Sequence, residues 1–309
     1  MAVPNISAED VSHIIADCKV VGKCNRGGQK IVYPCDINGI RYAVKFILLN
    51  YLDDVINDYD KDEYYMQIEE VKARAEREIS IMKSLDSPHL IRIGEIDLTS
   101  TEYNNQNLLY YSEDWIDGDD IGTILGKSKN KTMDVSDVLR LSKDIVSAIG
   151  HIWGTKNVHR DIKPQNIMKR SSDNTYVLLD FGMAFDLDDK SLTNVGLVPG
   201  TKIYFSPEQL DWQRKRDMDF RSDLFSLGIV MYEALTGCHP FYNRGMADTE
   251  LFNRILNYTP RTPQEVKTNI SKDINDLVMR LLAKAPSGRY RKCSILINQL
   301  ESIIQTMEG

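Results

Sequence analysis

The chain has 309 residues, a formal net charge of −7, 42% hydrophobic and 27% charged residues. At roughly 100–200 residues per domain this is material for two compact units with real cores. No window approaches the ~18 apolar residues of a membrane-crossing helix, the N-terminus lacks the basic-then-apolar layout of a signal peptide, and RKR at 214–216 is the one basic run that stands out, so neither membrane nor nucleic acid is expected as a partner. Cys18, Cys24, Cys35, Cys238 and Cys293 are odd in number and form no C-x-x-C pair. They read as free thiols of a cytoplasmic protein, neither a zinc site nor a disulfide framework.

Ser7-x-x-Asp10 is a capping-box pattern ahead of Val11, Ile14 and Ile15, with Ile6 placed to staple onto Val11, and it predicts a short first helix. Strand-like runs follow at 19–24, 30–37 and 40–48, and Asn38-Gly39 between the last two is a type I′ hairpin signal. Residues 63–85 carry Val71, Ala75, Ile79, Met82 and Leu85 at helical spacing, with Asp60 and Asp62 near the positive end of the helix dipole. Further strands are expected near 90–98 and 107–113, and helices dominate after about residue 116. The pattern predicts an α+β chain of two lobes, 1–115 and 116–309, with a cleft between them.

Four motifs occur in a fixed order. Ala43-Val44-Lys45 lies on a strand run; His159-Arg160-Asp161 leads into Ile162-Lys163-Pro164-Gln165-Asn166; Asp180-Phe181-Gly182 comes fourteen residues after Asn166; Ser206-Pro207-Glu208 follows. Each tripeptide alone is weak, but the ordered set resembles the eukaryotic-like (Hanks-type) Ser/Thr protein kinase family over nearly the whole chain. The stretches GGQK and YFSPEQ resemble bacterial members.

The resemblance implies a bilobal kinase fold, a small β-rich N-lobe with one long helix and a larger helical C-lobe. It implies ATP and Mg²⁺ (Mn²⁺ as an alternative), protein substrates with Ser or Thr acceptors, and autophosphorylation of an activation segment. ATP brings clustered negative charge, so transfer needs cations and positioning more than covalent help. On that basis Lys45 is expected on the α- and β-phosphates, with Glu78 as its partner. The neighbouring Glu76 lies about 200° around the helix and should face water. Asp180 and Asn166 would supply oxygen ligands to the metal. Asp161 would orient and accept the hydroxyl proton, and Lys163 would neutralise charge on the transferring group. Met168 is expected beneath the adenine, Val32 and Ala43 above it, and backbone groups of Asp114 and Ile116 at its edge. Glu113 then occupies a position where a charge must be exposed or paired.

His159 and Phe181 are expected as packing residues, Glu208 and Arg289 as a buried pair, and Asp223 as an anchor of the catalytic loop. Arg160 would meet a phosphate on the activation segment, at Ser191 or Thr193, while Thr201 would bond Asp161 and Lys163. Asp120 is expected at the ribose and at a substrate arginine, with Glu233 as a second acid; together they suggest a modest preference for basic peptides. Two features depart from the family pattern. Of the three phosphate-loop glycines only the middle one, Gly27, remains, with Gly28 beside it and Lys30 in the third position. Lys45 and Glu78 are 33 residues apart, which inserts roughly residues 50–72, either a longer helix and entry loop or a docking surface for a regulator. The alternatives are a catalytically impaired pseudokinase serving as a scaffold and a small-molecule phosphotransferase. The chain ends twenty residues after Arg289, so no appended sensor or anchor is expected.

Overall fold

The structure is a computed structural model that describes residues 4–27, 30–51, 61–181, 185–186, 202–210 and 218–308. It divides into two compact units, Met1–Ser84 with Ile91–Ile116, and Leu85–Leu90 with Asp117–Gly309.

The first unit begins with helix α1 (Ala8–Ile14), which opens on a true capping box: Ser7 Oγ accepts from the Asp10 amide and Asp10 accepts from the Ser7 amide. Strands β1 (Cys18–Val20), β2 (Asn25–Gly27), β3 (Lys30–Ile37) and β4 (Ile40–Tyr51) follow, then the long helix α2 (Lys61–Ser84), β5 (Thr99–Tyr103) and β6 (Gln106–Asp114). They form one six-stranded antiparallel sheet ordered β1-β3-β4-β6-β5, with β2 paired to β3. The β3–β4 hairpin turns at Asn38 and Gly39, both at positive φ (54° and 82°), the backbone a type I′ turn requires.

Period-two alternation gives this sheet two different faces. Ile31, Tyr33, Cys35 and Ile37 of β3, with Val44 and Phe46 of β4 and Leu108 of β6, pack into a dry core with Ile6, Val11 and Ile15 from the α1 region. The opposite face carries Lys30, Val32, Lys45, Tyr111 and Glu113, as the pairing registers dictate. On α2, Ile68, Val71, Ala75, Ile79 and Met82 are buried, whereas Tyr65 and Met66 in the inserted segment are exposed. Residues 52–60 of that segment lie outside the described residues.

The expected strand near 90–98 is not one. Its residues form isolated bridges, Leu90 to Leu178 and Ile93 to Glu113, and no continuous strand. Within the first unit, backbone bonds still join this stretch to β6 (Gly94 amide to Ser112 carbonyl, Ser112 amide to Ile96 carbonyl, Asp114 amide to Arg92 carbonyl), but Ser112 Oγ accepts the Ile96 amide and Asp97 Oδ1 the Leu98 amide, which breaks the regular ladder. The regular strand starts at Thr99 instead.

The second unit is mainly helical. Short β7 (Gly118–Asp120) leads into α3 (Ile121–Lys127) and the amphipathic α4 (Val135–Gly154); β8 (Asn157–Val158), β9 (Ile167–Arg170), β10 (Tyr176–Leu178) and β11 (Phe185–Asp186) build two small sheets, β10-β9-β7 and β11-β8. Then come α5 (Pro207–Leu210), α6 (Phe220–Thr236), α7 (Asp248–Asn257), α8 (Pro263–Val266), α9 (Lys272–Leu281) and α10 (Cys293–Glu308). Helix α6 is buried almost all round and ends at Gly237, whose positive φ of 77° closes the helix in the left-handed conformation. Among the described residues no helix is long and apolar enough to cross a membrane.

Candidate active site

Residues 159–166, the expected catalytic loop, stand between β8 and β9. Asp223, in the first turn of α6 and 1% exposed, accepts the backbone amides of His159 (2.9 Å) and Arg160 (2.8 Å). Those bonds secure a loop in which Arg160 sits at φ 69°. Burial pushes the Asp223 carboxyl up to about 7, against the two amides, which favour its ionised form. His159 is fully buried. Its Nε2 lies 3.1 Å from the Leu179 carbonyl, its Nδ1 faces the Asp161 amide, and its ring packs on Phe181 at 5.4 Å. Desolvation lowers its pKa to about 4, so it is a neutral packing residue.

Asp161 is 6% exposed. Its Oδ2 accepts from Lys163 Nζ at 2.7 Å and from Asn166 Nδ2 at 2.9 Å, and Asn166 Nδ2 also bonds the Asp161 carbonyl. The other carboxylate oxygen, Oδ1, is buried and has no partner among the described residues. Burial raises the Asp161 pKa to about 6, opposed mainly by the Lys163 charge. Asn166 forms a 3-10 turn with Pro164, and its carbonyl receives the Leu179 amide, which ties this turn to the strand that leads to Asp180. Asp180 takes a left-handed φ of 61° and Phe181 is buried.

Around this loop the remaining predicted residues separate into groups. Met168 is half-buried on β9, paired with Val177 and with Asp120. Asp120 caps α3: Oδ1 accepts the Thr123 amide and Oδ2 the Thr123 hydroxyl. Asp119 pairs with Lys127, and Glu233 accepts the Tyr204 hydroxyl. Asp119, Asp120 and Glu233 each have a local hydrogen-bond partner. Glu208 and Arg289 form a two-bond ion pair (2.5 and 3.1 Å), each about 1% exposed. Ser222 donates to Glu208, and backbone carbonyls of Arg221, Ala283 and Lys284 take the remaining guanidinium protons. Every bond a buried charge pair needs is present. Gly28, Gly182, Ser191, Thr193 and Thr201 lie outside the described residues.

In the first unit, Val32 and Ala43 lie half-buried on the sheet face that carries Lys45, Asp114 is exposed at the end of β6, and Ile116 is buried. Gly27 closes β2, opposite Lys30. Glu78 is 2% exposed and Glu76 faces solvent. The expected Lys45–Glu78 pair is not formed. Lys45 Nζ bonds Glu113 Oε1 at 2.5 Å, and Glu78 is held by Lys30 Nζ at 2.6 and 2.8 Å and by the Tyr111 hydroxyl at 3.0 Å. Strand register supplies the reason. Lys45 stands opposite Tyr111 and Ala43 opposite Glu113, so Glu113 is one rung along the same face. At 3% exposure its carboxylate needs a cation, and Lys45 is the adjacent one. Burial still raises its pKa against that pairing. Tyr111 as a clamp on Glu78 and Ser222 as a third partner of Glu208 escaped the sequence reading; the signal for Tyr111 was its place two residues from Glu113, on the same face of β6.

Asp180 and Asn166 carry oxygen donors of the kind a divalent cation prefers. Asp180 offers a carboxylate, and Asn166, its amide nitrogen spent on Asp161, offers an amide oxygen. Among the described residues no cluster of three or more His, Cys, Asp or Glu side chains could cage a metal alone.

The family model described as a protein kinase domain matches residues 55–300. A probable serine/threonine-protein kinase of Clostridium perfringens is 28% identical over 243 residues, 79% of this chain and 33% of that protein. Serine/threonine-protein kinase PknB of Mycobacterium leprae is 32% identical over 219 residues, 71% of this chain and 34% of that protein. Myosin light chain kinase A of Dictyostelium discoideum is 28% identical over 276 residues, 88% of this chain and 83% of that protein. The chain spans about a third of the length of these two bacterial relatives.

Proposed function

The chain belongs to the protein kinase family, and from that premise we propose that it transfers the γ-phosphate of ATP to Ser or Thr hydroxyls of proteins in the cytoplasm. The observation that carries this reading is the Asp161 carboxylate. One oxygen is fixed by Lys163 and Asn166, and the other is buried without a partner among the described residues. An unmet buried acceptor costs roughly 1–3 kcal/mol. A substrate hydroxyl donating to Oδ1 would meet that need and would be held in line by the same bond.

In this mechanism Asp161 orients the hydroxyl and takes its proton. With a pKa of about 6 the carboxylate is mostly ionised near neutral pH, yet more basic than an ordinary aspartate. Lys163, bonded to Oδ2, offsets charge as the phosphoryl group moves. Asp180 and Asn166 would hold Mg²⁺, which supplies charge neutralisation at the phosphates when bound; Mn²⁺ offers the same chemistry. Lys45 serves the α- and β-phosphates, Gly27 and Gly28 allow backbone amides to approach them, and Val32, Ala43 and Met168 provide apolar surface for the adenine. Asp114 and Ile116 supply backbone groups at its edge. Ser191 and Thr193 are the proposed autophosphorylation sites, and Arg160 the proposed partner of the phosphate.

Incubation with Mg-ATP and a generic protein substrate, followed by mass spectrometry of phosphosites, tests the reading. Phosphoserine or phosphothreonine on the substrate is expected. Phosphotyrosine alone, or no modified protein while ATP binds, would overturn it.

A further inference from the structure

The face of the sheet that meets Glu78 of α2 carries two lysines and one glutamate in a definite order. Lys30 lies opposite Ile47, Lys45 opposite Tyr111, and Glu113 opposite Ala43, so the three rungs run Lys30, Lys45, Glu113 along one surface. Lys30 and Lys45 each place Nζ 5.8 Å from the centroid of the Tyr111 ring, one on either pair. The Lys30 end adjoins Gly27, the proposed approach to phosphate. The Glu113 end adjoins Asp114 and Ile116, the proposed edge of the adenine. Lys45, bonded to Glu113, is therefore turned toward the adenine end, and Glu78 at the phosphate end is already occupied by Lys30.

We propose that Glu113 is an autoinhibitory counter-ion that competes with the phosphates of ATP for Lys45, and that nucleotide binding moves Lys45 from Glu113 to Glu78. This rests on the reading of Lys45 as the phosphate lysine. The two pairs, Lys30–Glu78 and Lys45–Glu113, are charge-balanced, so the resting arrangement leaves no buried ion alone. When Lys45 departs, Glu113 would be a buried anion unless it takes a proton. Burial and the nearby Glu78 already push its pKa up, against Lys45 and Lys30, so the neutral acid is within reach. Lys30, displaced on Glu78 by Lys45, then stands next to Gly27 as a second cation for phosphate. That would compensate for the missing loop glycines.

Equilibrium binding of Mg-ATP to the full chain, measured by calorimetry, tests the competition. Glu113→Gln removes the competing charge and keeps the side-chain shape, so it should bind Mg-ATP about tenfold more tightly than the unaltered protein. Damage to the fold would weaken binding, so a gain is not explained by a structural role. Affinity equal to or weaker than the unaltered protein overturns the proposal. Lys45→Met, measured alongside, separates the two layers: if it binds as tightly as the unaltered chain, the phosphate role of Lys45 falls and the competition with it. If it weakens binding while Glu113→Gln gains nothing, only the competition falls. Should the Gln variant not fold, a crystal structure of the unaltered chain with Mg²⁺ and a non-hydrolysable ATP analogue decides. Lys45 on Glu78 supports the exchange, and Lys45 still on Glu113 with nucleotide bound overturns it.

Discussion

Asn166 donates from one nitrogen to two oxygens of Asp161, the backbone carbonyl and Oδ2, each at 2.9 Å. The bond fixes the carboxylate and spends the amide nitrogen, and in the proposed site the amide oxygen is left for a cation. Asn166→Ala should therefore do two things at once. Transfer should fall by about 10–100-fold, and half-saturation by Mg²⁺ should move to higher concentration, as expected when a ligand and its orienting bond are lost together. A magnesium titration of the variant checks this; an unshifted titration would remove Asn166 from the metal.

The Glu208–Arg289 pair supports the second unit with no solvent to replace either partner. Arg289→Ala leaves the buried Glu208 carboxylate without its bidentate partner, held by the Ser222 hydroxyl and near Arg221, and should cost about 3–5 kcal/mol in urea denaturation. Lys83→Ala breaks an ion pair with Asp97 whose side chains are 48% and 62% exposed, and it should cost no more than about 1 kcal/mol. Equal costs would mean that burial does not set the value of these pairs.

Several local features were legible in the sequence. The capping box at Ser7 and Asp10 and the Asn38-Gly39 turn each depend on residues within a few positions of one another, and the bonds of Asp161 to Lys163 and Asn166 are local too, although Asp223 holds the loop backbone from 63 residues away. The Lys45 partner was not legible, because it depends on which rung of β6 faces β4. That register follows from pairing across 68 residues of sequence and includes a shift between Leu48 and Asn50. Motif order names Lys45 and Glu78 but says nothing of Lys30 and Tyr111 reaching Glu78 first. The strand expected near 90–98 failed for a related reason. Apolar spacing there is strand-like, but side chains of Ser112 and Asp97 take the amides that a ladder would use.

Asp223 gives a pH signature. Its pKa stands near 7 in the folded chain against an ordinary 3.8, so between those values the folded state holds a proton that the unfolded state has lost. The stability it contributes is fully present below about pH 4 and is lost as pH rises through about 7. The unfolding free energy of the unaltered protein minus that of Asp223→Asn should therefore fall between pH 4 and pH 7 and level off above. His159, which titrates in both proteins, cancels in the difference. A difference that rises across this window would show that the amides of His159 and Arg160 hold Asp223 ionised.

The most direct test is the rate of phosphoryl transfer by Asp161→Asn, with Mg-ATP affinity measured on the same preparation. Asparagine keeps the shape and removes the proton acceptor. The predicted result is a loss of about 10²–10⁴-fold in transfer with nucleotide affinity kept. A variant that binds Mg-ATP normally and retains more than about a tenth of the rate would contradict the assignment of Asp161 as the group that takes the hydroxyl proton.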